Sequence, residues 1–409
     1  MQSEQLFEAA LGVGSPWYVR ETAFNPEART LTIRVDFRCG SRFSHPEVAG
    51  EHPVHDTQTK QYRHLNFFQH ECFLEVRVPR VKLPDGSVRL IEPPWAGKLS
   101  GFTLLFEALV LCLCREMPFA AVARLVGESW HRVARVAERY VELALAEADF
   151  SEVRKLAIDE TSKARGHDYV TIAADAERRA VIFVTETREA TAIERLAADL
   201  AAHRGDPKAI RAVSIDMAPA YIKGVESCLP NAAVTFDKFH VIAHASHALD
   251  LTRRAEQKRD PDLKGLRWAL LKDRGALSDS RRSDLDALLK HLTTKRTARA
   301  WQYREDLREI LNRKQINVVR DMLWQWCTNV MRSKVEPMKD VARMIRNHLE
   351  GIVAWARTRM TNGFLEALNG LFQAAKRKAR GYRRLSTIRT IIFLLAGKLD
   401  FRTLNPYAA

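Results

Sequence analysis

Cysteine is scarce in this chain. Six residues, at 39, 72, 112, 114, 228 and 327, are spread over 409 positions with no CxxC pair. Such irregular spacing excludes a disulfide framework and points to a reducing compartment. No uninterrupted apolar run reaches roughly 18 residues, so a membrane-spanning helix is not expected. The N-terminus, MQSEQLFEAALGVGSPWYV, lacks a basic stretch followed by an apolar one, and no secretory leader is expected. Internal repeats and low-complexity tracts are missing too. What remains is a cytoplasmic chain with 46% hydrophobic residues, long enough for about two to four domains.

One sign of charge dominates. Lys and Arg total 65 against 50 Asp and Glu, a formal surplus of +15, with a pI near 9.7. The excess is clustered. Between 357 and 384 stand Arg357, Arg359, Lys376, Arg377, Lys378, Arg380, Arg383 and Arg384, with Glu366 as the single acid. A clustered cationic surplus suits a polyanionic partner, nucleic acid ahead of an anionic membrane.

The hydrophobic period changes along the chain. Residues 1–95 read as a small β-rich domain. LTIRVDFRC alternates, with Leu31, Ile33, Val35 and Phe37 on one face, and CFLEVRVPRV does the same with Cys72, Leu74, Val76 and Val78. PDGS at 84–87 is a turn, and EPPWAGKLSG reads as a linker. Residues 96–150 are helical. Pro118 opens a short helix that Gly127 ends, and Ser129 caps a longer one bearing Arg132, Arg135 and Arg139. That is a helix-turn-helix pattern, with a plain three-helix bundle as the alternative. Residues 151–250 alternate strands and helices: VRKLAID, DYVTIAAD and AVIFVTET, then a helix, AIRAVSID, a helix and AAVTFD. Three strands followed by alternating helix and strand is an α/β layout, and it is the element order of a ribonuclease-H-like fold. Residues 251–348 read as an all-helical insertion with Trp268, Trp301, Trp324 and Trp326. Residues 349–409 hold two further helices.

Acids at strand ends carry the chemistry. LAIDE places Asp159 at the end of the first core strand, and AVSID places Asp216 at the end of the fourth. Parallel strands would bring both to one edge, where open α/β sheets gather ligands. Glu366 is the candidate third acid, on a helical face with Asn369, Gln373 and Lys376 or Arg377. Such a hard-oxygen set suits two Mg²⁺ or Mn²⁺ ions and phosphoryl transfer. Glu160 competes with Asp159, since strand alternation admits one of them; the other would face away and pair with a base such as Lys163.

LAIDETS, VSIDMAPAYIKGV, VTFDKFHVI and TNGFLEALNGLFQAAKRKARGYR resemble, in order and spacing, the catalytic core of the ISL-three family of bacterial insertion-sequence transposases. The resemblance covers most of the chain, including RHLNFFQHECFLEVRVPRV and the helix-turn-helix. It implies a ribonuclease-H-like core interrupted by the helical insertion, with Asp159, Asp216 and Glu366 as catalytic and metal-binding acids. Asp237 and His240, in DKFH, would organise the site, although His240 also suits a capped core histidine. DNA contacts would come from Arg132, Arg135 and Arg139 and from Lys376, Arg377, Lys378, Arg380, Arg383 and Arg384. Relatives often carry an N-terminal zinc ribbon. Here only Cys39 and Cys72 stand near His45, His55, His64 and His70, so zinc is not expected. CLC at 112–114 reads as core.

The implied activity is binding of terminal inverted repeats, Mg²⁺-dependent strand cleavage and strand transfer by a nucleoid-associated dimer or larger assembly. A structure-specific nuclease or resolvase, or a catalytically inactive repressor, are the alternatives.

Overall fold

A computed structural model describes residues 3–99, 101–164, 168–187, 189–272, 274–291, 295–358, 360 and 362–408. Arg359, one of the clustered cations, lies outside them. The chain forms two compact units, one of Met1–Ala148 with Phe372–Ala409, the other of Asp149–Leu371.

In the first unit, α1 (Ser3–Leu11) precedes β1 (Trp17–Asn25), β2 (Thr30–Phe37), β3 (Arg42–His45), β4 (Val48–Phe67), β5 (His70–Lys82) and β6 (Val88–Leu90). They make one sheet, ordered β1-β2-β5-β4-β3 with β6 on β5. The alternating residues of β2 and β5 pack with Trp17, Phe43 and Tyr62 into a single core. β4 has few apolar residues, so no periodicity announces it. Its backbone pairing along β5, from Val54 to Phe67, holds it instead. Cys72 is buried in the sheet, its thiol pushed up to about 11 by burial. Beside it in register, His64 is pushed down to about 4, by burial and then by Arg63. Cys39 is exposed.

Three helices follow: α2 (Leu104–Glu116), α3 (Phe119–Val126) and α4 (Trp130–Ala146). Their ends follow local chemistry. Thr103 caps α2, Pro118 precedes α3, Gly127 closes it in the left-handed region at φ 72°, and the Ser129 hydroxyl accepts the Arg132 N–H. Within α2, Cys114 is core but Cys112 is exposed, because two positions turn a helix by more than half a circle.

The stretch read as a linker is docked. Glu107 on α2 is fully buried. Its carboxylate accepts the N–H groups of Lys98 and Leu99 and the Tyr140 hydroxyl, each at 2.7 Å. Burial still holds its carboxyl above the usual value. Any Cβ at position 97 would collide with that carboxylate, so Gly97 is required by space.

α15 (Leu385–Ala396) packs against α4 and α2, and the Ser386 and Thr387 hydroxyls donate to Glu138. Residues 349–409 therefore do not act as one block. The apolar α15 finds its burial in the first unit, while the chain up to Leu371 stays with the second.

The second unit holds β7 (Lys155–Ala164), β8 (Asp168–Asp175), β9 (Ala180–Thr185), β10 (Ala212–Ile215) and β11 (Ala233–Phe236), ordered β11-β10-β7-β8-β9. β7, β8 and β9 are antiparallel neighbours; β10 runs parallel to β7, and β11 parallel to β10. α5 (Glu189–Ala202) and α6 (Pro219–Cys228) pack together as crossovers. α7 (Lys238–Gln257) then leads into a purely helical stretch of α8 (Arg267–Leu271), α9 (Asp279–Leu289), α10 (Arg296–Asn312), α11 (Ile316–Met331) and α12 (Glu336–Asn347). Trp326 is 4% exposed and Trp324 55%, as their spacing on one helix requires. Arg346 lies over the exposed ring. α13 (Leu349–Thr358), not anticipated from the sequence, packs on β11 so closely that Gly351 leaves no room for a Cβ against the Phe236 ring. α14 (Gly363–Lys378) follows.

Replacing Glu107 by Ala strips three donors of their acceptor. It should lower the stability of the first unit by about 3 kcal/mol, read as a shift in its denaturant midpoint. The surface change Glu116→Ala should move that midpoint by less than about 0.5 kcal/mol.

Candidate active site

The site begins with register. Ala157 pairs with Ser214, and Ile215 pairs with Phe236, all in parallel. Carried one or two positions further, the same register sets Asp159 beside Asp216 and Asp216 beside Asp237. The continued register thus puts three acidic residues at one end of neighbouring strands. Asp159 does not end its strand. β7 runs on to Ala164, with Asp159 opposite Ile172 of β8. It is β10 that stops, at Ile215, and this leaves one flank of β7 without a strand at the position of Asp159.

Alternation separates Asp159 from Glu160. The Glu160 carboxylate accepts the Tyr221 hydroxyl at 2.9 Å, and that hydroxyl also bonds the Thr171 hydroxyl at 2.8 Å. Glu160 is therefore turned toward α6, and Lys163 meets Asp168 and Glu186. Asp159 Oδ1 accepts the Glu160 N–H at 2.8 Å, and its Oδ2 accepts from Asn369 Nδ2 at 3.1 Å. Burial pushes the Asp159 carboxyl up to about 6. The Asp216 and Glu366 carboxylates add to this, while the Glu160 N–H and His240 oppose it.

Asp237 is fully buried and its oxygens are engaged. Oδ1 accepts the Phe239 N–H and caps α7; Oδ2 accepts the Asn362 N–H at 2.6 Å. Asn362, buried as well, donates from Nδ2 to the Ile158 carbonyl at 3.1 Å. Asn362 immediately precedes α14, and Glu366 and Asn369 stand on that helix at i+4 and i+7 from it. Glu366 is exposed. Its carboxyl is held above the usual value by burial and by Asp237, with His240 opposing. The buried Nε2 of His240 has no partner among the described residues. His244, one turn on, is held below its usual value by burial, His240 and His247, with Asp216 opposing.

Sequence reasoning missed Asn362, Tyr221 and His244. The signal for the first was its helical spacing from Glu366 and Asn369. Tyr221 and His244 stand inside quoted stretches but carry no pattern of their own.

The donor set suits a hard divalent cation. Asp159, Asp216 and Glu160 line a cavity of about 10 Å³ with Ile158, Ile215 and Tyr221, room for one water-sized occupant. A carboxyl that keeps its proton to about pH 6 because it is buried, with the Asp216 and Glu366 carboxylates adding to the effect, is relieved by a cation in the proton's place. Among the described residues, however, no three His, Cys, Asp or Glu side chains close around one point. Glu366 lies in electrostatic reach of Asp159 without completing such a set.

Of the cations expected at DNA, Arg135 and Arg139 are exposed on α4. Arg132 is half-buried, bonded to Glu128 at 2.8 Å and stacked 3.9 Å over the Phe102 ring. Its guanidinium is engaged within the unit. Arg377, Lys378, Arg380, Arg383 and Arg384 are exposed, and Lys376 is half-buried.

A capped helix-turn-helix in one unit and an acid-lined strand edge in the other are the equipment of an enzyme that works on DNA. Comparison with known families agrees. A profile described as a transposase matches residues 156–392, and one for the helix-turn-helix domain of transposase family ISL3 matches residues 91–141. The chain belongs to the ISL3 family of insertion-sequence transposases. It is 27% identical to the transposase for insertion sequence element IS1001 of Bordetella parapertussis, over 87% of this chain and 86% of that one. It is 26% identical to the transposase for IS1557 of Mycobacterium tuberculosis, over 97% of this chain and 96% of the relative. Among the described residues no helix is long and apolar enough to cross a membrane.

The raised carboxyl of Asp159 has a thermodynamic consequence. Without metal, the folded state keeps a proton that the unfolded state releases near pH 4, so this stabilising contribution is full below about pH 4 and lost as pH rises through about 6. In chelator, Asp159→Asn should stabilise the protein by up to about 2–3 kcal/mol above pH 6, and the gain should vanish at about pH 4. Melting curves at both ends of that window check it; an unchanged or lower melting temperature at neutral pH would contradict it.

Proposed function

We propose that this transposase moves its element by cut-and-paste chemistry on a ribonuclease-H-like core. The observation that carries the reading is the convergence of Asp159 and Asp216 at one sheet edge under the helix that bears Glu366. The strand order β11-β10-β7-β8-β9, with an antiparallel meander followed by two parallel strands, supports the fold.

Asp159, Asp216 and Glu366 would hold Mg²⁺ or Mn²⁺, two ions in all. Bound there, the cations supply Lewis-acid stabilisation of phosphoryl oxygens and a more acidic water. The chain's own groups do the rest. Asp237 fixes the start of α7 and the approach to α14. His240 places an imidazole beside Asp159 and Glu366. Arg135 and Arg139 present a cationic face for the major groove of a terminal inverted repeat; Arg132 shapes that helix by its contacts with Glu128 and Phe102. Lys376, Arg377, Lys378, Arg380, Arg383 and Arg384 neutralise phosphates. Hydrolysis at the element's end breaks a phosphodiester and frees a 3′-hydroxyl. That hydroxyl attacks a target phosphodiester in line and expels the target's own 3′-oxygen. Because two ends must be joined to one target, the working form is a dimer or higher assembly in the bacterial nucleoid.

Glu366→Gln should reduce end cleavage by about 10²–10³-fold while leaving repeat binding within a factor of two or so; equal loss of both would make Glu366 a structural residue. A joining assay with a pre-cut 3′-hydroxyl end separates transposase from nuclease, since a nuclease would not link it to a second duplex. Binding should weaken steeply with salt, and Arg383→Ala with Arg384→Ala should lower the slope of log K against log salt by about 2. A flat salt dependence would remove the phosphate-tracking role.

A further inference from the structure

We infer that Asn369 is a positioning residue for the catalytic centre, holding the Asp159 carboxylate in the orientation that receives a cation. The inference rests on the reading of Asp159 as a metal ligand.

Each Asp159 oxygen has one protein donor. Oδ1 takes the Glu160 N–H at 2.8 Å, and Oδ2 takes Asn369 Nδ2 at 3.1 Å. A carboxylate offers about four lone-pair positions, so one donor per oxygen stops rotation about the Cβ–Cγ bond and leaves acceptor capacity on both atoms. Asn369 Nδ2 also lies 3.5 Å from the Glu160 carbonyl, against the same strand turn. The amide is thus seated on the backbone as well as on the side chain it orients. Its Oδ1 is buried without a partner among the described residues. A buried amide oxygen in that state keeps an unused acceptor on the side chain that donates to Asp159.

Asn362 makes the arrangement rigid. Two turns earlier on the same face, it bonds the Ile158 carbonyl through Nδ2 and Asp237 through its backbone N–H. One asparagine therefore grips the strand just before Asp159 and the other grips Asp159 itself, with Glu366 between them. Outer-sphere partners of this kind govern metal affinity by about 10–100-fold.

The experiment is Mn²⁺ titration of the full chain without DNA, followed by loss of the free-ion paramagnetic signal. Asn369→Ala and the volume-conserving Asn369→Leu are each compared with Asp159→Asn and with Gly370→Ala, whose added methyl meets nothing within 4 Å. Expected is a dissociation constant about 10-fold or more weaker in both Asn369 variants, an unchanged value in Gly370→Ala, and unchanged binding of end DNA. Asn369→Gln, which keeps the amide donor, should recover part of the loss. If Asp159→Asn binds Mn²⁺ like the parent, the metal reading fails and this inference with it. If Asp159→Asn loses the ion but both folded Asn369 variants keep parental affinity, the inference alone is overturned.

Discussion

A carboxylate removed from water needs donors, and Asp237 finds two backbone N–H groups. One belongs to its own helix; the other belongs to Asn362, 125 residues later. This pair of bonds closes the long helical excursion from α7 to α13 onto the end of β11. Losing it would leave a buried charge and a buried N–H both unsatisfied, each costly in a low-dielectric interior. The approach to α14 therefore depends on Asp237, and so does the placement of Glu366 and Asn369 in the second unit. Asn362 extends the same anchoring to β7 through the Ile158 carbonyl.

That anchoring also sorts the acids. Four carboxylates crowd the edge or its neighbourhood: Asp159, Asp216, Asp237 and Glu366. Asp237 is fully buried, with a backbone N–H on each oxygen, so both oxygens already have donors within the protein. Glu366 is exposed, and its carboxylate has no hydrogen-bond or ion-pair partner among the described residues. Asp159 lies between these extremes, oriented by two donors yet carrying a raised carboxyl. Acids at the same edge thus divide, by the hydrogen bonds each already has, into a latch and groups with acceptor capacity left. Accordingly the acids that act electrostatically on Asp159 are Asp216 and Glu366.

Much of this was legible in the residues. The alternation in β2 and β5, the Thr103, Pro118, Gly127 and Ser129 punctuation of the helices, and the order of the core strands follow from local chemistry. What was not legible depended on partners far along the chain. β4 reads as polar because β5 supplies its hydrogen bonds. α13 is short and continuous with its neighbours, and only β11 defines its buried face. The end of β7 was misplaced because an acid looks like a terminus, whereas the strand continues along β8 after β10 has stopped. Arg132 reads as a surface cation until Glu128 and Phe102 are seen beside it. EPPWAGKLSG reads as a linker because its anchor, Glu107, comes after it in the chain.

Charge shows the same division between global and local information. The surplus of +15 describes the long-range field that draws a polyanion, and it can be counted without knowing the fold. The reacting edge is a local exception in which carboxylates oppose both one another and an incoming phosphate. Two like-charged partners cannot share that edge without intervening positive charge. Were cations to bind there as proposed, their binding and that of the scissile phosphate would be linked, and any coupling free energy that one gained from the other would be reciprocal. Asn362, just before α14, and Asn369 on it bond the strand and the Asp159 carboxylate, while Glu366 between them stays exposed.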